Sequence, residues 1–75
     1  MKIEYELGEE VWVLHDNKPK RGFVYSIVLT FEKEPLYNVY NSKVGGSMHY
    51  GDFNADKIGS TKRELLEKIF YYKED

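Results

Sequence analysis

The chain has 75 residues, of which 16% are aromatic and 32% are charged, and its formal net charge is −2. So short a chain buries only about 60% of the surface that its unfolded form exposes, which allows one domain with a single core. A deep substrate cleft is therefore not expected, and the small negative charge argues against a general polyanion-binding protein.

The sequence contains no cysteine, which excludes disulfides and thiolate metal sites. Small secreted domains usually depend on disulfides, so this composition favours an intracellular protein. The first residues lack the apolar stretch of a signal peptide, and no run approaches the roughly 20 apolar residues of a membrane span. We therefore expect a cytoplasmic protein that makes no membrane contact.

The N-terminal half of the sequence predicts strands joined by short turns. Alternation of apolar and charged residues over 3–7 predicts a first strand, and the alternation over 9–15 predicts a second. A polar turn over 16–20 separates the second strand from a long one, which starts near Arg21 and runs towards Glu32.

The spacing of apolar residues shows that this long strand cannot be regular. Val24 and Ile27 are both predicted core residues, yet they lie three positions apart and a flat strand would place them on opposite faces. A β-bulge near Tyr25–Ser26 reconciles the two positions. Beyond the bulge, Leu29 and Phe31 are predicted to share the face of Ile27.

Proline and glycine mark the next turns. Pro35 borders a strand predicted over 36–41. Gly45-Gly46 can form a tight turn before a short strand over 47–51. Residues 53–58 are predicted to form a turn or a single 3₁₀ turn, whose terminal residues Phe53 and Ile58 cover one end of the predicted core.

The hydrophobic period changes near the C-terminus. Thr61 and Glu64 fit a capping box, in which each side chain accepts a hydrogen bond from the backbone N–H of the other residue. A helix is therefore predicted over about 61–72, after strands within 1–58, and it must dock because roughly three turns are not stable alone. The apolar stripe of this helix is Leu65, Leu66, Ile69 and Tyr72.

No residue cluster predicts catalysis or metal binding. The histidines, His15 and His49, have acidic neighbours in Asp16 and Asp52, but these pairs lie in separate elements and lack ligand spacing. The serines lie in no nucleophile-elbow context, and no buried pair of carboxylates is evident. We expect no enzymatic activity, no metal, no cofactor and no small-molecule substrate.

Aromatic residues supply the first candidate binding surface. Trp12, Tyr25 and Tyr40 each alternate with predicted core residues, so we expect them in an exposed patch that contacts a partner, with another protein as the first candidate. Together with Tyr37 and Tyr50, the same rings also suit a peptide groove or a cage for a methylated cation.

A basic cluster supplies the second candidate. Lys18, Lys20 and Arg21 lie on the predicted first hairpin beside aromatic residues. Proteins that bind single-stranded nucleic acid place phosphates on such basic groups and stack bases on such rings. Solvated turn residues produce the same pattern, so nucleic acid is the alternative partner rather than the first one.

The apolar and glycine positions of the first hairpin resemble those of SH3-like barrels, including Tudor and KOW-type domains. The residues that carry the resemblance are Gly8-x-x-Val11-x-Val13, then a polar turn, then Gly22-x-Val24-x-x-Ile27. With the terminal helix, most of the chain is similar to small uncharacterised SH3-like proteins of bacteria and phages. The resemblance implies an antiparallel barrel of about five strands with a C-terminal helix. It also implies a non-enzymatic module that docks on, or inhibits, a larger protein, or that contacts RNA through the basic hairpin as KOW domains do.

Overall fold

The computed structural model describes residues 3–42 and 48–74, with the backbone alone for 70–74. Its elements are β1 (Glu10–His15), β2 (Lys18–Val28), β3 (Leu36–Tyr40), β4 (His49–Phe53), a 3₁₀ turn (Ala55–Lys57) and α1 (Lys62–Glu74). The strands form an antiparallel sheet in the order β1-β2-β3-β4. The predicted mainly-β class with a C-terminal helix is confirmed.

The first hairpin is set by a two-residue turn. Asp16 and Asn17 have φ values of 54° and 62°, which is the geometry of a type I′ turn. Asp and Asn tolerate this region better than most other residues do. The flanking residues His15 and Lys18 pair across the hairpin, so β2 begins earlier than the sequence predicted.

A β-bulge interrupts the pairing of β2 with β3, as predicted. Val24 pairs with Val39, and Ser26 pairs with Asn38, which leaves Tyr25 as an extra residue on β2. Such a bulge bends the strand and increases its twist.

A second β-bulge lies on the other side of β3. Val39 pairs with Gly51 and Tyr40 pairs with His49, so Tyr50 is the extra residue on β4. The predicted turn at 45–46 and the predicted start of this strand at 47 lie outside the described residues.

The core lies against one face of this bent sheet and consists of Tyr5, Val11, Val13, Val24, Tyr37, Val39 and Ile58. Gly22 is buried among them, and a Cβ at this position would lie 2.7 Å from the Val39 side chain and 2.8 Å from the Tyr40 carbonyl oxygen. The glycine therefore permits the close packing of β2 against β3.

The predicted first strand over 3–7 is wrong. Glu9 N–H donates to the Glu6 carbonyl, and Gly8 has a φ of 82°, so the chain forms a local turn instead of a ladder. Only Tyr5 enters the core, where its hydroxyl donates to the Ile58 carbonyl at 3.0 Å. Leu7 is 65% exposed.

The described chain forms an open sheet, without the predicted fifth strand or closed barrel. On the free side of β1, Trp12 and Gly59 exchange two backbone hydrogen bonds of 2.8 and 3.0 Å, which form an isolated bridge. The edge strands β1 and β4 are in contact through side chains: the centroids of the His15 and Tyr50 rings lie 5.0 Å apart. Pairing at one residue is too short to constitute a strand.

Helix α1 begins at the predicted capping box. Glu64 N–H donates to Thr61 Oγ1 at 3.1 Å. The reciprocal bond differs from the prediction, because the Glu64 carboxylate accepts from Ser60 N–H at 3.0 Å rather than from Thr61. Leu65 is fully buried, and a Cβ at Gly59 would collide with the Leu65 backbone. The N-terminal turn of the helix is therefore packed closely against the bridge to β1.

Lys68 ties the helix to two other segments. Its Nζ donates to the Ile58 carbonyl at 2.7 Å, the Ala55 carbonyl at 3.0 Å and the Tyr5 hydroxyl at 3.3 Å. Burial raises the pKa of the Tyr5 phenol, and the hydrogen bond and charge of Lys68 only partly oppose this rise. We call this arrangement of Lys68 with its three acceptors the lysine clamp.

Within the described ranges, no helix has the length and apolar character needed to cross a membrane.

Candidate functional site

The face of the sheet opposite the core carries neighbouring aromatic rings. Phe23 pairs with Tyr40, next to the buried pair of Val24 and Val39, so alternation places both rings on the outer face. Tyr40 also pairs with His49 of β4. Adjacent strands therefore bring side chains together that lie far apart in the sequence.

Three of these rings are in contact, and we call them the ring row: Tyr25, Tyr40 and His49. The Tyr25 and Tyr40 centroids lie 4.9 Å apart with a tilt of 56°. The Tyr40 and His49 centroids lie 4.8 Å apart with a tilt of 29°, which is a stacked arrangement. Tyr25 is 50% exposed and the His49 side chain 42% exposed, while Tyr40 is half-buried between them.

The contacts within the ring row order its side chains. Offset or tilted ring pairs at these distances are favourable beyond the area that they bury. Because Tyr40 is held by a ring on each side, it has less rotamer freedom to lose on binding. A preformed apolar surface with polar ring atoms at its edges is suited to protein recognition.

A polar pair lies at the β4 end of the ring row. Asp52 Oδ1 accepts a hydrogen bond from Asn38 Nδ2 at 2.6 Å and lies 3.5 Å from His49 Nε2. Asn38 Oδ1 is buried and has no hydrogen-bond partner within the part of the chain described. This end of the row is therefore negatively charged and rich in acceptor atoms.

Trp12 shares the face of the ring row but lies one strand away. It alternates with the core valines of β1 and pairs with Arg21. Among the described side chains, no ring contact joins Trp12 to Tyr25 or Tyr40. The structure thus brings two of the predicted contact rings together and leaves Trp12 beside the Gly59 bridge.

The basic residues of the first hairpin do not form one patch. Lys20 pairs with the core residue Val13, whereas Arg21 pairs with Trp12, so alternation places these two basic side chains on opposite faces. Lys18 and Arg21 are exposed, and Lys20 is half-buried.

The two histidines lie in separate pairs. His15 Nε2 is 3.5 Å from Asp16 Oδ2, and the His49–Asp52 pair belongs to β4. No group of three or more His, Cys, Asp and Glu side chains suited to a metal occurs in 3–42 and 48–74.

A small cavity opens beside the N-terminal segment. Its volume is about 230 Å³, and it is lined by Pro35, Tyr37 and Ala55 with an edge of Glu4, Glu34 and Asp56. Ligand pockets usually measure about 300–1,000 Å³, so this cavity is small for a drug-sized ligand.

Two exposed features were missed by the sequence prediction. The sequence analysis did not connect His49 with Tyr40, and the bulge at Tyr50 is what aligns these two residues across β3 and β4. Phe31 was expected on a core-facing strand, but β2 ends at Val28 and Phe31 is 85% exposed. The charged run Glu32-Lys33-Glu34 before Pro35 was the available signal that the strand ends before Phe31.

Comparisons of the chain with family models, with curated proteins and with solved structures find no significant match in any of the three. The case for a function therefore rests on the chain's own residues.

Proposed function

We propose that this protein is a non-enzymatic binding module that attaches to another protein through the ring row. The contact of Tyr25, Tyr40 and His49 on an exposed sheet face carries the proposal. Exposed apolar patches mark interaction sites, and tyrosine offers a large contact area with few rotatable bonds. Trp12 remains a predicted contact at the margin of this surface.

Electrostatics favour a protein partner over nucleic acid. Asp52 places a carboxylate beside His49, where a phosphate backbone would be repelled. The net charge of −2 gives no long-range attraction for a polyanion.

We also propose that the fold is SH3-like, with its final strand reduced to the Gly59–Trp12 bridge. The 3₁₀ turn after β4 and the return of the chain to the free side of β1 support this. On the resemblance, the protein is a small accessory or inhibitor protein of bacterial or phage origin. Its cysteine-free composition supports a location in the cytosol.

The proposal is tested with a partner captured on the immobilised chain, identified by mass spectrometry and then purified. Titration calorimetry should show that Tyr25→Ala and Tyr40→Ala each weaken binding by about 2 kcal/mol or more, which is roughly thirtyfold. Tyr25→Ala should change the melting temperature little, because this side chain is 50% exposed and lies outside the core cluster. Tyr40→Ala should lower the melting temperature moderately, because it removes a half-buried ring that contacts two others. The matched control is Lys18→Glu with Lys20→Glu, which should leave the affinity nearly unchanged.

One observation supports the alternative of nucleic-acid binding. Arg21 is exposed and is the cross-strand partner of Trp12, so a basic residue and an aromatic residue are neighbours on the outer face. On this alternative, single-stranded oligonucleotides should bind with a steep loss of affinity as salt rises. Binding that is abolished by the lysine reversal or by Arg21→Glu, yet unaffected by the tyrosine variants, would replace the protein-binding proposal.

A further inference from the structure

The loop between β2 and β3 carries an exposed aromatic ring, that of Phe31, which is not part of the core cluster. Lys33 N–H donates to the Thr30 carbonyl at 3.1 Å, which closes a β-turn with Phe31 and Glu32 at its centre. Phe31 is 85% exposed, more than any other large apolar residue described as exposed. We call residues 28–34 the Phe31 loop.

The turn is built on a residue in an unfavourable backbone conformation. Glu32 has a φ of 61°, in the left-handed region. Glycine or asparagine is preferred at this position of a turn, because a larger side chain raises the free energy of that conformation. Residues in strained backbone conformations concentrate at functional sites, so Glu32 makes this turn a place to look for one.

The chemistry around Phe31 selects a type of partner group. An open groove of about 430 Å³ runs beside the ring and is lined by Phe31, Glu32, Lys33 and Glu34. Two carboxylates against one ammonium make the groove acidic, which disfavours nucleic acid and anionic lipid surfaces. A guanidinium can stack on an aromatic ring while it pairs with carboxylates, whereas a lysine ammonium lacks this planar geometry.

We propose that the Phe31 loop is a second interaction site, which binds an arginine side chain of a partner protein. The guanidinium stacks on Phe31 and pairs with Glu32 and Glu34, while Val28 and Leu29, 46% and 60% exposed, cover the apolar part of the partner segment. The site lies in the loop after β2, whereas the ring row lies on the strands. It therefore does not depend on the partner of the ring row.

The test is a titration of the ¹⁵N-labelled protein with the capped peptide acetyl-Gly-Arg-Gly-amide, followed by NMR. We expect saturable shift changes centred on amides of the Phe31 loop, with a dissociation constant in the millimolar range. The same peptide with citrulline, which is isosteric but neutral, should bind at least about fivefold more weakly. Phe31→Ala should weaken the arginine peptide by about two- to fivefold.

Glu32→Gly separates a binding role from a structural one. This variant should raise the melting temperature, because it relieves the turn, and yet it should weaken peptide binding by about fivefold. The double variant Tyr25→Ala with Tyr40→Ala should bind the arginine peptide as the wild type does, even if the ring row proves to have no partner.

Three results would overturn the proposal: no saturable shift up to the solubility of the peptide, equal binding of the citrulline peptide, or unchanged affinity in Glu32→Gly. A dilution series of the protein alone completes the experiment. If amides of the loop shift with protein concentration in the absence of peptide, the occupant is a second copy of the chain and the arginine proposal is wrong.

Discussion

Replacement of Lys68 by methionine tests how the helix is held on the sheet. Methionine keeps an unbranched apolar side chain and removes the ammonium group. The variant therefore loses the bonds from Nζ to the Ile58 and Ala55 carbonyls and to the Tyr5 hydroxyl. It also loses the 3.7 Å ion pair with Glu64.

The expected loss in the free energy of unfolding depends on which hydrogen bonds the acceptors of Lys68 retain in the variant. Without Lys68, the Ile58 carbonyl still accepts from the Tyr5 hydroxyl at 3.0 Å, and the Ala55 carbonyl still accepts from Ile58 N–H at 3.1 Å. No carbonyl is left without a donor, so the larger penalty for an unsatisfied buried group does not apply. The Lys68 side chain is 29% exposed, so solvent screens part of its interaction energy.

We therefore expect Lys68→Met to lower the free energy of unfolding by about 2 kcal/mol. In a domain of this size, that loss lowers the melting temperature by roughly 8–16 °C. Urea denaturation followed by far-UV circular dichroism measures the free energy, and the slope with urea should be unchanged.

Lys62→Met is the matched control, because Lys62 is the exposed first residue of the same helix. It should stay within about 0.5 kcal/mol of the wild type, as most surface substitutions do. If Lys68→Met also stays within that margin, the lysine clamp contributes nothing to stability and the reasoning is refuted.

Three further measurements address the helix, the buried phenol and the tight glycine. Leu65→Ala should cost roughly 2–5 kcal/mol and Thr61→Ala about 1 kcal/mol, and an unchanged melting temperature after removal of residues 60–75 would contradict the docking of the helix. Because burial raises the pKa of Tyr5, its neutral form is favoured in the folded state, so this contribution to stability is complete below about pH 10 and is lost as the pH rises further. Unfolding free energies of the wild type should therefore fall more steeply above about pH 10 than those of Tyr5→Phe, and equal slopes would count against the shift. Gly22→Ala should cost about 1–3 kcal/mol, because the added methyl meets backbone at the Tyr40 carbonyl, and a stable variant would show that β2 and β3 can separate without penalty.

Features set by local chemistry were predictable from the sequence. If Val24 and Ile27 both face the core, their spacing requires a bulge between them, and the structure has this bulge at Tyr25. The Thr61–Glu64 cap depends only on residues within one helical turn. The alternation over 3–7 failed as evidence for a strand, because the glycine turn that follows leaves Tyr5 alone to enter the core.

The candidate site was predictable only in part, because some of its residues are placed by local alternation and others by the pairing of strands that are distant in the sequence. Tyr25 and Tyr40 follow from alternation, but the place of His49 depends on the register between β3 and β4, which no local pattern determines. The sequence prediction placed Phe31 in β2, because the residues before it continue the two-residue alternation of a strand. The turn that ends this run uses Glu32 at positive φ rather than a glycine that would have signalled it.

The bulge at Tyr25 shapes the sheet and its outer surface together. If Tyr25 were absent, Ser26 would follow Val24 directly, and β2 would pair with β3 without interruption, each remaining residue keeping its partner. The ring row would lose one end, and β2 would lose the bend that the bulge gives it. One extra residue therefore does two things at once: it bends the strand that carries the core residue Val24, and it adds a ring to the outer face of the sheet.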